Sequence, residues 1–217
     1  MTNVFAHEGK VQLRNRLFQI GLQALKKEGW QIERVQGSGK ASLRRVTKGG
    51  VSKLVSIRTT QDTWVAFARD KQDTGFVTLS DVDLVLAVSV DDADEPCFAQ
   101  AHLIDGDEMR DRYDRAYQAR LDAGHSIPVG RGVWVSLYQQ EAQTPVNRIG
   151  AGAGLAHPAI LRTLLDGPGP DEPGESDGFE EADSAMVEEN LTIAEAKHRL
   201  AMTFGVDPSS VKITIEA

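Results

Sequence analysis

The stretch KLVSIRTTQDTWVAF, residues 53–67, decides how this chain is read. KLVSIRTT at 53–60 has the apolar content of a buried strand, Gln61 and Asp62 make a polar turn, and TWVAFARD at 63–70 is a second strand. Ser56, Arg58, Thr59, Thr60, Asp62 and Trp64 are thereby gathered in a small space, where the chemistry of the protein is expected to lie.

Working outward toward the N-terminus, KASLRRVT at 40–47 is a preceding strand, reversed by Gly49 and Gly50. Trp30, Ile32 and Val35 alternate as another strand, and GSG at 37–39 turns between the two. The GSGK tetrapeptide lacks the GxxxxGK[ST] spacing that lets successive backbone N–H groups wrap a phosphate, so it reads as a hairpin turn. Residues 10–28 carry Leu13, Leu17, Phe18, Leu22 and Leu25 at three- and four-residue spacings, which predicts a helix with Lys10, Arg14, Lys26 and Lys27 toward water.

Toward the C-terminus, 71–81 is a loop or short helix, and DLVLAVSVD at 83–91 is a strand buried on both faces in mid-sheet. The acids from Asp91 to Glu95 lack the oxygen spacing of a calcium loop and read as a solvated turn before the strand CFAQAHLI at 97–104. A helix follows over 107–123, with Met109, Tyr113, Ala116, Tyr117 and Leu121 inward and Arg110, Arg112, Arg115 and Arg120 outward among acids. VWVSLY at 133–138 is a further strand, and GAGAG at 150–154 a flexible or tightly packed turn without GxGxxG spacing. Residues 166–190 hold ten acids, no Lys or Arg, and repeated Pro and Gly, a composition that cannot bury a core. Thr192 and Glu195 form a capping box before a helix at 193–203, and VKITI at 211–215 alternates as a strand.

The 217 residues suit one medium domain with an appendage. No run of about 18 apolar residues predicts a membrane span, the N-terminus lacks the apolar centre of a secretory signal, and the single Cys97 suits a reducing, cytoplasmic compartment. Five histidines stand singly, without metal-ligand spacing. Net charge is −8, yet residues 1–60 hold twelve bases against three acids, a balance of +9, while the remainder carries −17. A basic first quarter of this kind is the footprint that phosphate backbones select.

The order helix, four strands, loop or short helix, buried strand, strand, helix, with IRTT closing a strand near residue 58, resembles the restriction-endonuclease-like superfamily, the PD-(D/E)xK nucleases, over residues 10–138. In that family a hairpin presents an Asp on one strand and an (E/Q)-x-K triad on the next, often continued by Thr-Ser. An aromatic-containing strand and an Asp-flagged apolar strand commonly follow. SIRTT at 56–60, TWVAF at 63–67 and VDLVLAV at 82–88 occupy those places. The resemblance implies an α/β fold with a central mixed β-sheet flanked by helices over 1–165. An acidic flexible linker at 166–190 and a small helix-strand docking segment at 191–217 then complete the chain.

The departures set the functional expectation. Ser56 stands where the family has a carboxylate, Arg58 where it has Lys, and KASLRRVT contains no Asp. Serine cannot supply the charge that holds a divalent metal. Arginine stays cationic and grips phosphate through its planar fork. The expected function is therefore that of a catalytically inactive, nuclease-like nucleic-acid-binding protein without a cofactor, for which DNA is the natural ligand. Its contacts would come from Arg44, Arg45, Lys48, Lys53 and Arg58 on the strands and Lys10, Arg14, Lys26 and Lys27 on the helix. One alternative is a Mg2+-dependent nuclease with a rearranged site built from Glu33, Asp62 or Asp83. Each of these acids also has a plain role: Glu33 paired across a hairpin, Asp62 in an Asx turn, and Asp83 at the start of a strand. The other alternative is a protein-interaction or immunity module, in which 191–217 docks on a partner or a second copy.

Overall fold

The computed structural model describes residues 8–35, 42–166, 197, 200, 201 and 210–212. The GSG turn, the acidic stretch beyond Asp166 and the strand expected at 211–215 lie outside the described residues, apart from positions 211 and 212. Lys197, Leu200 and Ala201 are helical, within the helix expected at 193–203, and Ala201 is buried.

The element order is α1 (Glu8–Lys27), β1 (Gln31–Arg34), β2 (Leu43–Lys48), β3 (Val51–Thr60), β4 (Trp64–Ala68), β5 (Leu84–Val90), β6 (Phe98–Asp105), α2 (Gly106–Asp122), β7 (Gly132–Ser136), α3 (Ala153–Ala156) and β8 (Leu161–Leu164). Six strands form a mixed sheet in the order β1-β2-β3-β5-β6-β8. Only the central β3–β5 pair is parallel. All seven residues of β5 are buried, as a Val/Leu run in mid-sheet requires.

Each face of the sheet carries its own core. Leu17, Phe18, Ala24 and Leu25 of α1 pack against Val46, Val55, Ile57, Leu86 and Val88. α1 comes close at Gly21, where a Cβ would lie 2.9 Å from the Val88 side chain. On the opposite face, Leu43, Val85, Ala87 and Ile104 pack under Met109, Tyr113 and Ala116 of α2 and under Val65, Phe67, Val133 and Val135.

The last four come from a separate two-stranded sheet, β4 with β7, which corrects the reading of 63–70 as simply the next strand in line. The chain leaves the sheet immediately after β3. Asp62 Oδ1 accepts hydrogen bonds from Thr60 Oγ1 at 2.7 Å and from the Trp64 N–H at 3.2 Å. Thr63 then takes a left-handed φ of 66°, turning β4 away so that β5 fills the place beside β3.

The inner stripe of α2 is Gly106, Met109, Tyr113, Ala116 and Arg120, while Leu121 is partly exposed. Arg120 is therefore not on the outer face, because a 3.6-residue period carries the stripe from 116 to 120. Its guanidinium donates to the Ala116 and Trp134 carbonyls at 2.7 and 2.6 Å. The other outward arginines are paired as expected, Arg110 with Asp107, Arg112 with Glu108 and Arg115 with Asp111. β8 lies in a region where the sequence carries little periodicity, and its four residues form the sheet edge on β6.

Asp105 caps α2 by accepting from the Asp107 and Glu108 N–H groups. The next residue, Gly106, has no room for a side chain, since a Cβ there would collide with the Val82 carbonyl oxygen. Gly106→Ala is expected to lower unfolding stability by about 2 kcal/mol, the scale of core overpacking. Gly9→Ala, which meets nothing within 4 Å, is expected to leave stability equal or slightly raised. Urea denaturation of the two variants checks both.

Candidate functional site

β3 places Leu54, Ser56, Arg58 and Thr60 on the α2 side of the sheet, alternating with Val55 and Ile57 on the α1 side. Ser56 is fully buried between Leu43 of β2 and Val85 of β5 in the cross-strand register. Among the described residues its hydroxyl has no hydrogen-bond partner, and the same holds for buried Ser42. The Ser56 position is thus a closed, uncharged spot.

Arg58 is engaged by the protein itself. Its guanidinium carbon lies 4.4 Å from the Phe67 ring centroid, and Nη2 donates to Thr78 Oγ1 and to the Val77 carbonyl at 3.4 Å. The Thr78 hydroxyl in turn donates a hydrogen bond to the Val77 carbonyl at 2.6 Å. It does so from a left-handed φ of 61°, which costs a β-branched residue roughly 1–2 kcal/mol.

The three candidate acids do not meet. Asp83 Oδ2 accepts from the Leu54 N–H at 2.7 Å, tying the start of β5 to the middle of β3. Asp62 belongs to the turn beyond Thr60. The six-residue rise from Leu54 to Thr60 separates these two carboxylates by about 20 Å, far beyond metal-bridging distance. Glu33 stands on edge strand β1, opposite Arg45. Asp62 and Asp83 thus have the plain roles open to them, Glu33 faces Arg45 by strand register alone, and among the described residues no group of three or more His, Cys, Asp or Glu could hold a metal ion.

The candidate phosphate contacts divide between the two faces. Arg44 is buried, with its guanidinium 5.1 Å from the Phe18 ring, and Arg58 is held under Thr78. Arg45 is exposed on the α2 side. Lys48 and Lys53 lie on the α1 side, where Lys53 sits opposite Val46 and Lys48 Nζ lies 5.7 Å from the Trp30 ring while donating to the Glu28 carbonyl. Lys26 and Lys27, in the last turn of α1, are exposed at that same end. Lys10 and half-buried Arg14 belong to the other end of α1, where the Lys10 carbonyl accepts from Gln61. At 1.5 Å per residue they lie about 20 Å from Lys26 and Lys27.

A second polar cluster arises only in three dimensions. His102 of β6 is buried with Nδ1 2.7 Å from the His157 carbonyl and Nε2 2.9 Å from the Tyr138 hydroxyl, which is 2.5 Å from Ser89 Oγ. A carbonyl can only accept, so Nδ1 carries the proton and Nε2 accepts from Tyr138, whose oxygen accepts from Ser89. Burial holds the His102 imidazole below the ordinary histidine range, against the opposing pull of the His157 carbonyl, and raises the Tyr138 phenol. The ring of His157 bonds Glu108 at 2.7 Å. Although burial alone would raise the Glu108 carboxyl, Arg112 and His157 together lower it. Sequence reading missed this cluster because its members come from five separated positions with no fixed spacing.

No protein-family model, curated protein or solved structure matches this chain.

An unpartnered buried hydroxyl costs about 1–3 kcal/mol. Ser56→Ala is therefore expected to raise stability by about 1 kcal/mol in thermal or urea unfolding. A loss of that size would show that the hydroxyl is satisfied in solution.

Proposed function

We propose that this protein is a nuclease-like, non-cleaving nucleic-acid-binding protein that grips duplex phosphates with the tip of its β2–β3 hairpin and the last turn of α1. The observation that carries this reading is the distribution of charge around the hairpin. Residues 48–52 at its tip are exposed, with Arg45 on one face of the ribbon and Lys48 and Lys53 on the other, and Lys26 and Lys27 stand beside Lys48. A two-stranded ribbon fits the major groove of B-form DNA, whose walls are two phosphate backbones. Cations on both ribbon faces suit that insertion better than a flat patch on one side.

The element order and the mixed sheet support kinship with the PD-(D/E)xK fold, and the closed, uncharged surroundings of Ser56 support binding without cleavage. Arg44 and Arg58 leave the contact set, since both guanidinium groups are used inside the protein. The cleaving alternative has no comparable support, because Asp83 is bonded at Leu54 and Asp62 lies beyond Thr60, about 20 Å apart along β3. Among the described residues no helix is long and apolar enough to cross a membrane.

The full chain is expected to retard duplex DNA at about 50 mM salt, with log K falling by about 0.9 per phosphate contact for each tenfold rise in salt. Replacing Lys27, Arg45 and Lys53 together by Gln is expected to flatten that slope by nearly three, whereas Arg58→Gln leaves it unchanged. Fluorescence anisotropy against salt measures both. Absence of binding at about 50 mM salt overturns the reading, and strand cleavage with magnesium or manganese that Asp62→Ala or Asp83→Ala abolishes replaces it with the nuclease.

A further inference from the structure

The Ser89–Tyr138–His102 chain is a buried titratable cluster that nucleic-acid binding does not use. It joins the central sheet, through β5 and β6, to the two segments that close the α2 side: the residue pair after β7 and the end of α3. β8 follows directly. It is held to β6 over four register pairs, with the Ile160 N–H on the Ala101 carbonyl at 2.8 Å and the Leu165 N–H on the Cys97 carbonyl at 3.0 Å at its two ends. A strand this short at a sheet edge depends on whatever anchors the chain leading into it.

We propose that His102 is an acid-sensitive latch whose protonation releases the 157–165 segment, and with it β8, from the central sheet.

Burial and a donor clash at Nε2 oppose protonation of His102 and outweigh the His157 carbonyl, whose bond from Nδ1 favours the charged ring. In the neutral ring, Nδ1–H serves the His157 carbonyl and the Nε2 lone pair serves the Tyr138 hydroxyl. A proton taken from solvent lands on Nε2 and leaves two donors, Nε2–H and the tyrosine O–H, facing each other at 2.9 Å. The tyrosine must then turn its proton toward Ser89, whose own proton loses its acceptor. The imidazolium also sits 2% exposed in the core, where a charge without a counter-ion is costly.

Among the described residues no compensating anion touches it. Tyr138 and the His157 backbone are neutral, and the His157 ring adds positive charge when protonated. Arg58 of β3 stands two strands away in the same cross-strand row through Ala87. Glu108 of α2 is already bound to Arg112 and the His157 ring. Asp91, beyond the end of β5, accepts from the Cys97 and Phe98 N–H groups and pairs with Arg162 of β8 at 3.6 Å.

Because the folded-state affinity of His102 for a proton lies below that of a free histidine, at 6.5, the latch is intact above about pH 6.5. It loosens as pH falls through and below that value, since the open form binds the proton more tightly. Release bares the β6 edge, a row of backbone donors and acceptors able to pair with another strand.

Hydrogen–deuterium exchange of the full chain between pH 7.5 and 5.5, corrected for intrinsic rates, tests the idea. Protection of 157–165 is expected to fall by up to tenfold per pH unit below about 6.5, with β1–β3 unchanged. In His102→Gln the fall is expected to vanish, since the amide can replace both hydrogen bonds and does not titrate, while His157→Gln keeps it. The idea is overturned by constant wild-type protection, by a pH response that survives in His102→Gln, or by one that is lost in His157→Gln instead. Should His102→Gln not fold, 15N NMR of the wild-type ring decides. An Nδ1–H tautomer at pH 7.5 that titrates together with the 157–165 amides supports the latch, and separate midpoints overturn it.

Discussion

Arginine side chains donating to backbone carbonyls fasten the segments that close the α2 side of this sheet over its apolar core. Arg110 reaches the Leu79 and Val82 carbonyls, both at 2.8 Å; Arg112 reaches those of Gly150 and Ala151; and Arg120 reaches Ala116 and Trp134. Two loops and strand β7 are thus fastened to one helix. Loop carbonyls need partners once water is excluded, and a guanidinium brings five donors in a fixed fork. Charge-assisted bonds of this kind contribute more than neutral ones, about 1.5–3 kcal/mol each. Arg120 is the extreme case, a buried cation whose affinity for its proton is lowered by burial. Tyr113, beside it, sends its hydroxyl to the Val65 carbonyl of β4 at 2.6 Å and packs edge-on against Phe67 and Phe76.

The same economy explains what happened to the centre of β3. Arg58 and Arg69 are both stacked on aromatic rings, Arg69 between Phe76 at 4.8 Å and Tyr117 at 4.2 Å from the ring centroids. Both hold down the loop between β4 and β5, Arg69 through Asp73 and Arg58 through Thr78. Asp73 and Thr78 each sit at positive φ, so the arginines secure a loop whose backbone would otherwise relax. Arg58, at the centre of β3, is thus part of the scaffold. Arg45 at the hairpin and Lys26 and Lys27 at the end of α1 are exposed, and Lys48 bridges the two by donating to the Glu28 carbonyl.

Much of the fold was legible because it follows local periodicity. The stripe of Leu13, Leu17, Phe18 and Leu25 does face a core, the run at 84–90 is buried on both sides, and the acids at 91–95 do form a solvated turn, with Asp92 Oδ1 accepting from the Asp94 and Glu95 N–H groups. The plain roles of Asp62 and Asp83 were also readable, since an Asx turn and a strand start are local motifs. Three things were not. The departure of β4 to a second sheet depends on a left-handed threonine, the inward turn of Arg120 depends on carbonyls 14 residues away, and β8 has too few residues to show a period.

By itself, then, the sequence determined the sites of helices and strands, the segregation of charge, and the absence of a carboxylate at position 56, because each of these is a property of neighbouring residues. Only the tertiary structure decided which strands meet and what the polar side chains do. It parted the basic residues between two sheet faces, locked Arg58 under Thr78, and built the His102–Tyr138–Ser89 chain. The physical reason is that a hydrogen bond or an ion pair is satisfied by whatever the fold brings within about 3 Å, and that proximity is set by the packing of distant segments.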